Sequence, residues 1–274
     1  MLELIFLLPI TTGLAALFVP AIFGRWMLLV AALFHLQLMI MAWLDKLPVY
    51  TEGFFSAEPI GLLVLLLTSF IFLCISVYAI CYVREAEMEN EHVFHGCMLL
   101  FLGTMSMVSL ADHPIVLWIA IEATTLLSAP LIYLHHSREA LEATWKYIII
   151  CSVGIALALL GCFFITLSID IAEIDVPLTF TSLNRVAAQL DPLWLKAGFI
   201  FIIIGFGTKM GLAPMHTWLP DAHSMAPSGI SAMLSGVVIE AGLVALLRAV
   251  GCISPTGGSW GNLLLSFGAV NMLV

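Results

Sequence analysis

The sequence predicts an all-α polytopic membrane protein on three observations. Of 274 residues, 62% are hydrophobic and only 10% charged, and the mean hydropathy of +1.12 lies far outside the soluble globular range. Apolar runs able to cross about 30 Å of hydrocarbon recur along the whole chain. One of them carries, from Gly205 through His216, a lysine (Lys209), a proline (Pro214) and the glycines Gly205, Gly207 and Gly211, a combination costly at membrane depth.

The runs fall at about Leu2 to Pro20, Met27 to Leu44, Pro59 to Val83, Phe94 to Leu110, Pro114 to Leu134, Ala143 to Ile169, Trp194 to Met215 and Gly229 to Val250. The first lacks a basic flank and a small-residue cleavage site, so it reads as a retained helix rather than a signal peptide. A ninth run begins near Asn262 and reaches Val274 still in apolar sequence, as expected of a fragment, a split gene product or a truncated chain. Between the third and fourth runs, Glu85, Glu87, Glu89 and Glu91 predict a solvated helical extension of the third span rather than an ion-attracting mouth. His92 and His95 sit one turn apart there without a third metal ligand, which predicts a surface pair. In the longest polar connection, Asp170 to Asp191, residues Leu183, Val186 and Leu190 follow Thr181-Ser182 at helical spacing and predict a short amphipathic helix at the membrane surface.

Nine Lys and Arg against eighteen Asp and Glu give a net charge of -9, which argues against a nucleic-acid partner. Arg25, Arg84 and Arg138 fall on one side and Lys46, Arg185, Lys196 and Arg248 on the other, so the positive-inside rule leaves orientation open. None of the six cysteines forms a C-x-x-C pair, and all read as small hydrophobes. No nucleotide loop, phosphate cradle or nucleophile elbow is present, so no catalytic, cofactor-binding or metal site is expected.

The charged residues at membrane depth are the candidate site. Pro214 cannot donate to the Met210 carbonyl and the flanking Gly207 and Gly211 weaken the same turns, so the seventh helix should break close to Lys209, where freed carbonyls favour its ammonium. A broken helix at this depth needs protein or a water-filled cavity around it. Glu122, mid-way along the fifth run, is either a functional carboxyl or a protonated one bonded to Thr125 or a neighbouring helix. Glu240, in the eighth, follows the small residues Ser231, Ser235 and Gly236, which permit close packing. Lys146, at the start of the sixth, is either part of a proton path or a lysine reaching the interface. His216 and His223 suit proton relay or packing, and Trp218 reads as an interfacial anchor. A Glu-Lys pair at 4 Å gains on the order of 4 kcal/mol at an effective dielectric near 20, enough to offset much of the desolvation.

These residues resemble a family. Ile121-Glu122-Ala123-Thr124-Thr125-Leu126, Trp145-Lys146-Tyr147-Ile148-Ile149-Ile150-Cys151, and Ile204-Gly205-Phe206-Gly207-Thr208-Lys209 joined to Pro214-Met215-His216 are similar to the antiporter-like membrane subunits. These are shared by respiratory complex I, Mrp-type cation/proton antiporters and membrane-bound energy-converting nickel-iron hydrogenases, and the nearest likeness is to hydrogenase-4 component F and its relatives in formate hydrogenlyase-type complexes. The resemblance implies about fourteen helices built from two inverted five-helix repeats, each with a broken helix. It divides this chain into an N-terminal three-helix segment (1–93), a first repeat carrying the proton path (94–250) and an incomplete start of the second (251–274). It implies that Glu122 pairs with Lys209, and that a lysine commonly stands where this chain has Glu240. That departure implies either an acid that hands protons onward or a weakly conducting subunit.

The resemblance further implies a proton-translocating, non-redox subunit of a respiratory-type oxidoreductase, not catalytic alone, in the inner (cytoplasmic) membrane. Its proton path would comprise Glu122, Lys209, Glu240, His216, His223 and Lys146. Other membrane subunits and a peripheral electron-transfer arm are its implied partners, with protons or sodium as the ion. The alternatives are an Mrp-type sodium/proton antiporter subunit, an antiporter-like subunit of inorganic-carbon uptake, and a scaffold that has lost transport.

Overall fold

The computed structural model describes residues 2–44, 53–85, 90–253 and 260–273. They form α1 (Leu2–Ala16), α2 (Ala21–Trp43), α3 (Pro59–Glu85), α4 (Glu91–Leu110), α5 (Pro114–Ile132), α6 (Arg138–Ile171), α7 (Phe180–Val186), α8 (Pro192–Met210), α9 (Trp218–Met225), α10 (Ser228–Met233), α11 (Ile239–Ile253) and α12 (Trp260–Leu273). Five residues in π geometry, Leu234–Val238, join α10 to α11. Among the described residues the only extended pairing is an isolated bridge between Phe55 and Ala111.

Among the described residues, seven helical segments are long and apolar enough to cross a membrane: α2 to α6, α8, and the unit running from α10 through α11. The chain is therefore a multi-pass membrane protein. The first expected span is shorter than predicted. α1 has 15 residues, about 22 Å of helix, because the chain turns at Leu17 to Pro20. It lies against α4, where Gly13 and Gly103 allow contact: a Cβ on Gly13 would come 2.8 Å from the Leu100 amide nitrogen. α4 is nearly all buried and forms the centre of the bundle.

Helix starts reach beyond the apolar runs because polar residues cap them. Ser137 accepts from the Ala140 amide at the head of α6, and Asp191 accepts from Leu193 and Trp194 at the head of α8. α6 has 34 residues, about 51 Å, so its first turns project past the hydrocarbon. The expected amphipathic helix is α7, with Thr179 as its N-cap and Phe180 and Leu183 buried. Asp112, between α4 and α5, holds it in place by accepting from the Thr181 amide and hydroxyl, both at 3.1 Å.

Three readings of the polar residues need correction. His95 is fully buried rather than paired with His92 at the surface, since Gly24 on α2 leaves room for its ring. Glu91 is not simply solvated: it binds Arg25 on α2 at 2.7 Å and joins the heads of α2 and α4. Arg248 is no loop charge but a buried side chain in α11 that donates to the last carbonyls of α4, Val108 (2.8 Å) and Ser109 (2.6 Å). The helical extension of the third span is described only to Glu85, and Glu87 and Glu89 lie outside the described residues.

Candidate functional site

A seam of small residues sets the site. α6 and α8 run antiparallel, and a Cβ on Gly161 or Gly198 would lie 2.7 or 2.8 Å from the other's carbonyl oxygen. One on Gly205 would lie 2.7 Å from the Gly154 carbonyl oxygen, and one on Gly154 would meet Thr208. That register carries Tyr147 and Cys151 of α6 to the level of Lys209 at the end of α8.

The helix does end beside Lys209, at Met210. The residue that ends it is Gly211, in the left-handed region with φ 80°, three positions before Pro214. The Leu212 amide closes onto the Gly207 carbonyl at 2.8 Å, a Schellman-like finish. Trp218, expected at the interface, is instead wholly buried, and its Nε1 donates to the Thr208 carbonyl at 2.9 Å. Freed carbonyls are thus answered by the chain that follows the break, and Asn271 of α12 accepts from the Ala213 amide at 2.7 Å.

The Lys209 ammonium does not sit on those carbonyls. Its side chain is 0% exposed, and Nζ donates to Thr125 Oγ1 of α5 at 2.8 Å and to the Tyr147 hydroxyl at 2.7 Å, and lies 4.9 Å from the centre of the Tyr147 ring. The Tyr147 hydroxyl also meets Ser128 at 2.7 Å, and Trp218 lies 5.0 Å from Tyr147, ring to ring. Hydrogen bonds to a charge contribute roughly 1.5–3 kcal/mol each. Together they offset the roughly 2.5–3.5 kcal/mol insertion cost of a lysine without a carboxylate in contact. Two of the three ammonium protons are engaged, and the third has no acceptor among the described residues.

The expected Glu122-Lys209 ion pair is not formed: among the described residues no carboxylate lies within 4 Å of Nζ. Glu122 Oε1 accepts from Ser152 at 2.7 Å, while Oε2 is buried and unpartnered. Thr125, the partner first suggested for Glu122, bonds the ammonium instead. It follows Glu122 by about one turn of α5, which places the acid and the hydroxyl that holds the ammonium on one side of that helix.

The other candidates are not gathered here. Gly242 packs on α8, where a Cβ would meet the Phe206 carbonyl and Met210 amide at 2.8 Å. Glu240, two residues earlier, is about 200° round α11 and so points away from α8 and its Lys209 ammonium. Its Oε2 is buried without a partner, directly after the π turn. Gly236 does permit close packing, against Ile71 of α3. Lys146 is about half exposed and pairs with Glu142 (2.8 Å) and Asp221 (2.9 Å), tying α6 to α9. His223 Nδ1 lies 2.7 Å from Ser231 Oγ, linking α9 to α10, and burial lowers its pKa. His216 has a buried, unpartnered Nδ1 in the turn after the break. Tyr147, Ser128 and Ser152 were missed as site residues. Only their spacing from Lys146 and Glu122 offered a signal.

Residues 111–274 match the family described as NADH:quinone oxidoreductase/Mrp antiporter, TM. The chain belongs to this family. The hydrogenase-4 component F homolog of Methylacidiphilum infernorum (isolate V4) is 36% identical over 232 residues, covering 81% of this chain and 48% of that protein. The chain thus spans about half the length of that relative. Among solved structures, the archaeal membrane-bound sulfane sulfur reductase complex matches with a TM-score of 0.82 at 20% identity, over 98% of this chain and 57% of the other. The Mrp complex of Dietzia sp. DQ12-45-1b matches at 0.77 and 17% identity, over 92% and 48%. These structural matches establish the antiporter-like fold of the family in this chain.

Proposed function

We propose that the chain is the proton-translocating part of a non-redox subunit in a hydrogenase-4 or formate hydrogenlyase-like complex of the inner membrane. The observation that carries this is Lys209, fully buried at a helix break and held by two hydroxyls rather than by a neutralising carboxylate. Such a group is bound tightly enough to carry a proton and loosely enough to pass it on. Glu122 receives it through Thr125, and Glu240 serves as the onward acid on the far face of α11. Lys146 and Asp221 form the mouth beside the break, with His216 and His223 flanking it. Partner membrane subunits and a peripheral electron-transfer arm supply the driving reaction, and 94–250 form the first inverted repeat.

The test is proton uptake by inverted vesicles carrying the assembled complex, driven by its own electron donor, in sodium-free and sodium-containing buffer. Uptake independent of sodium supports the reading. Strict dependence on sodium favours the Mrp-type alternative and contradicts it.

A further inference from the structure

The break after Lys209 is held in part from a helix much further along the chain. Between Gly211 and Met215 the backbone has four N–H groups to place, since Pro214 has none. Three of them bond carbonyls of α8 or of the turn itself: Gly211 to Thr208 at 3.1 Å, Leu212 to Gly207 at 2.8 Å and Met215 to Leu212 at 2.9 Å. The fourth, the amide of the buried Ala213, donates to Asn271 Oδ1 of α12 at 2.7 Å. Asn271 Nδ2 donates in turn to the Phe267 carbonyl at 2.8 Å. That second bond fixes the side-chain amide, because the reversed orientation would set an N–H against the Ala213 N–H and an oxygen against a carbonyl.

The sequence of α12 suits this contact. Leu264, Phe267 and Asn271 stand at i, i+3 and i+7 and share one face of the helix. Leu264 and Phe267 pack on the core, whereas Leu265 is 72% and Met272 84% exposed. Asn271 is therefore the polar member of the face that α12 turns to the bundle. The residue it holds comes four positions after Lys209, beyond Gly211, whose φ of 80° turns the chain. The neighbouring amides are answered within α8 and the turn, so the bond to Asn271 is what ties this turn to another helix.

We propose that Asn271 is a positioning residue through which α12 holds the outgoing side of the break, so that the place of α12 sets the place of the Lys209 ammonium. The proposal rests on the reading of Lys209 as the proton carrier. With α12 seated against the bundle, Ala213 and the Gly211 turn are kept where Lys209 Nζ reaches Thr125 Oγ1 and the Tyr147 hydroxyl. Drawing α12 away removes the acceptor, leaves a buried amide unmatched and lets the turn relax. Motion in the segment after α11 thereby biases a site in the segment before it, with one hydrogen bond as the link.

The experiment uses the assembled complex in its native membrane. Asn271→Leu removes the accepting oxygen at nearly constant size, and Asn271→Asp keeps an oxygen in its place. Hydrogen–deuterium exchange read by mass spectrometry should quicken at least tenfold over 211–217 in Asn271→Leu and return to the wild-type rate in Asn271→Asp. Proton uptake per electron transferred should fall at least threefold in Asn271→Leu, with a shifted pH profile, and recover in Asn271→Asp. Unchanged exchange in Asn271→Leu, quickened exchange with wild-type uptake and pH profile, or equal losses in the two variants overturns the proposal. Should Asn271→Leu fail to assemble, Asn271→Ala, which adds no apolar bulk beside the turn, decides the same question. Lys209→Ala is measured alongside: wild-type uptake in that variant sinks the parent reading, while the exchange result still shows whether Asn271 holds the turn.

Discussion

Lys209 is kept at membrane depth by Thr125 and Tyr147, not by the carboxylate expected from charge alone. The sequence makes Lys209 and Glu122 stand out because ionisable groups inside apolar runs are rare. It does not reveal the hydroxyl cage, because Thr, Ser and Tyr are unremarkable in a membrane helix and only the α6–α8 register selects which of them meet the ammonium. The bridging role of Thr125 is testable. Glu122→Gln and Lys209→Met should each impair proton uptake, and the double variant should be no worse than the worse single. In a Thr125→Val background the two defects should multiply independently. Multiplying defects in the unaltered background would show that acid and base act in separate steps.

The break in α8 was visible in its glycines and proline, but its agent was misassigned. Proline was expected to stop the helix, whereas Gly211 turns it first with a positive φ and leaves Pro214 exposed beyond the end. A φ of that sign has no signature beyond glycine itself, and glycines are common throughout this chain. A Cβ at Gly211 meets only Leu219, at 3.4 Å, so the cost of substitution is in the backbone. Gly211→Ala should therefore destabilise the break by roughly 1–2 kcal/mol and lower the complex's thermal midpoint without blocking assembly. An unchanged midpoint would mean that this turn is set elsewhere. The π turn before Glu240 and the burial of Trp218 were not legible, since both depend on which helix lies opposite.

For the molecule as a whole, composition and run length were enough to predict a helical membrane bundle, and seven described segments meet the spanning criterion. What they could not supply was α1, whose apolar run is long enough to span while its helix is not. The polar connectors carry the pH response. Burial lowers the His223 pKa from 6.5, so the unfolded chain binds more protons than the folded one as pH falls below about 6.5. Stability should then decline on the acid side through that window, and His223→Gln should flatten the decline. A slope unaltered by the substitution would place the response on another group.

The most direct test of a lysine-centred proton path is Lys209→Ala in the assembled complex, with proton uptake and electron-transfer turnover measured on the same inverted vesicles. Uptake should fall at least tenfold, while the complex assembles with its full subunit content. Uptake at the wild-type rate per turnover would show that protons cross without Lys209.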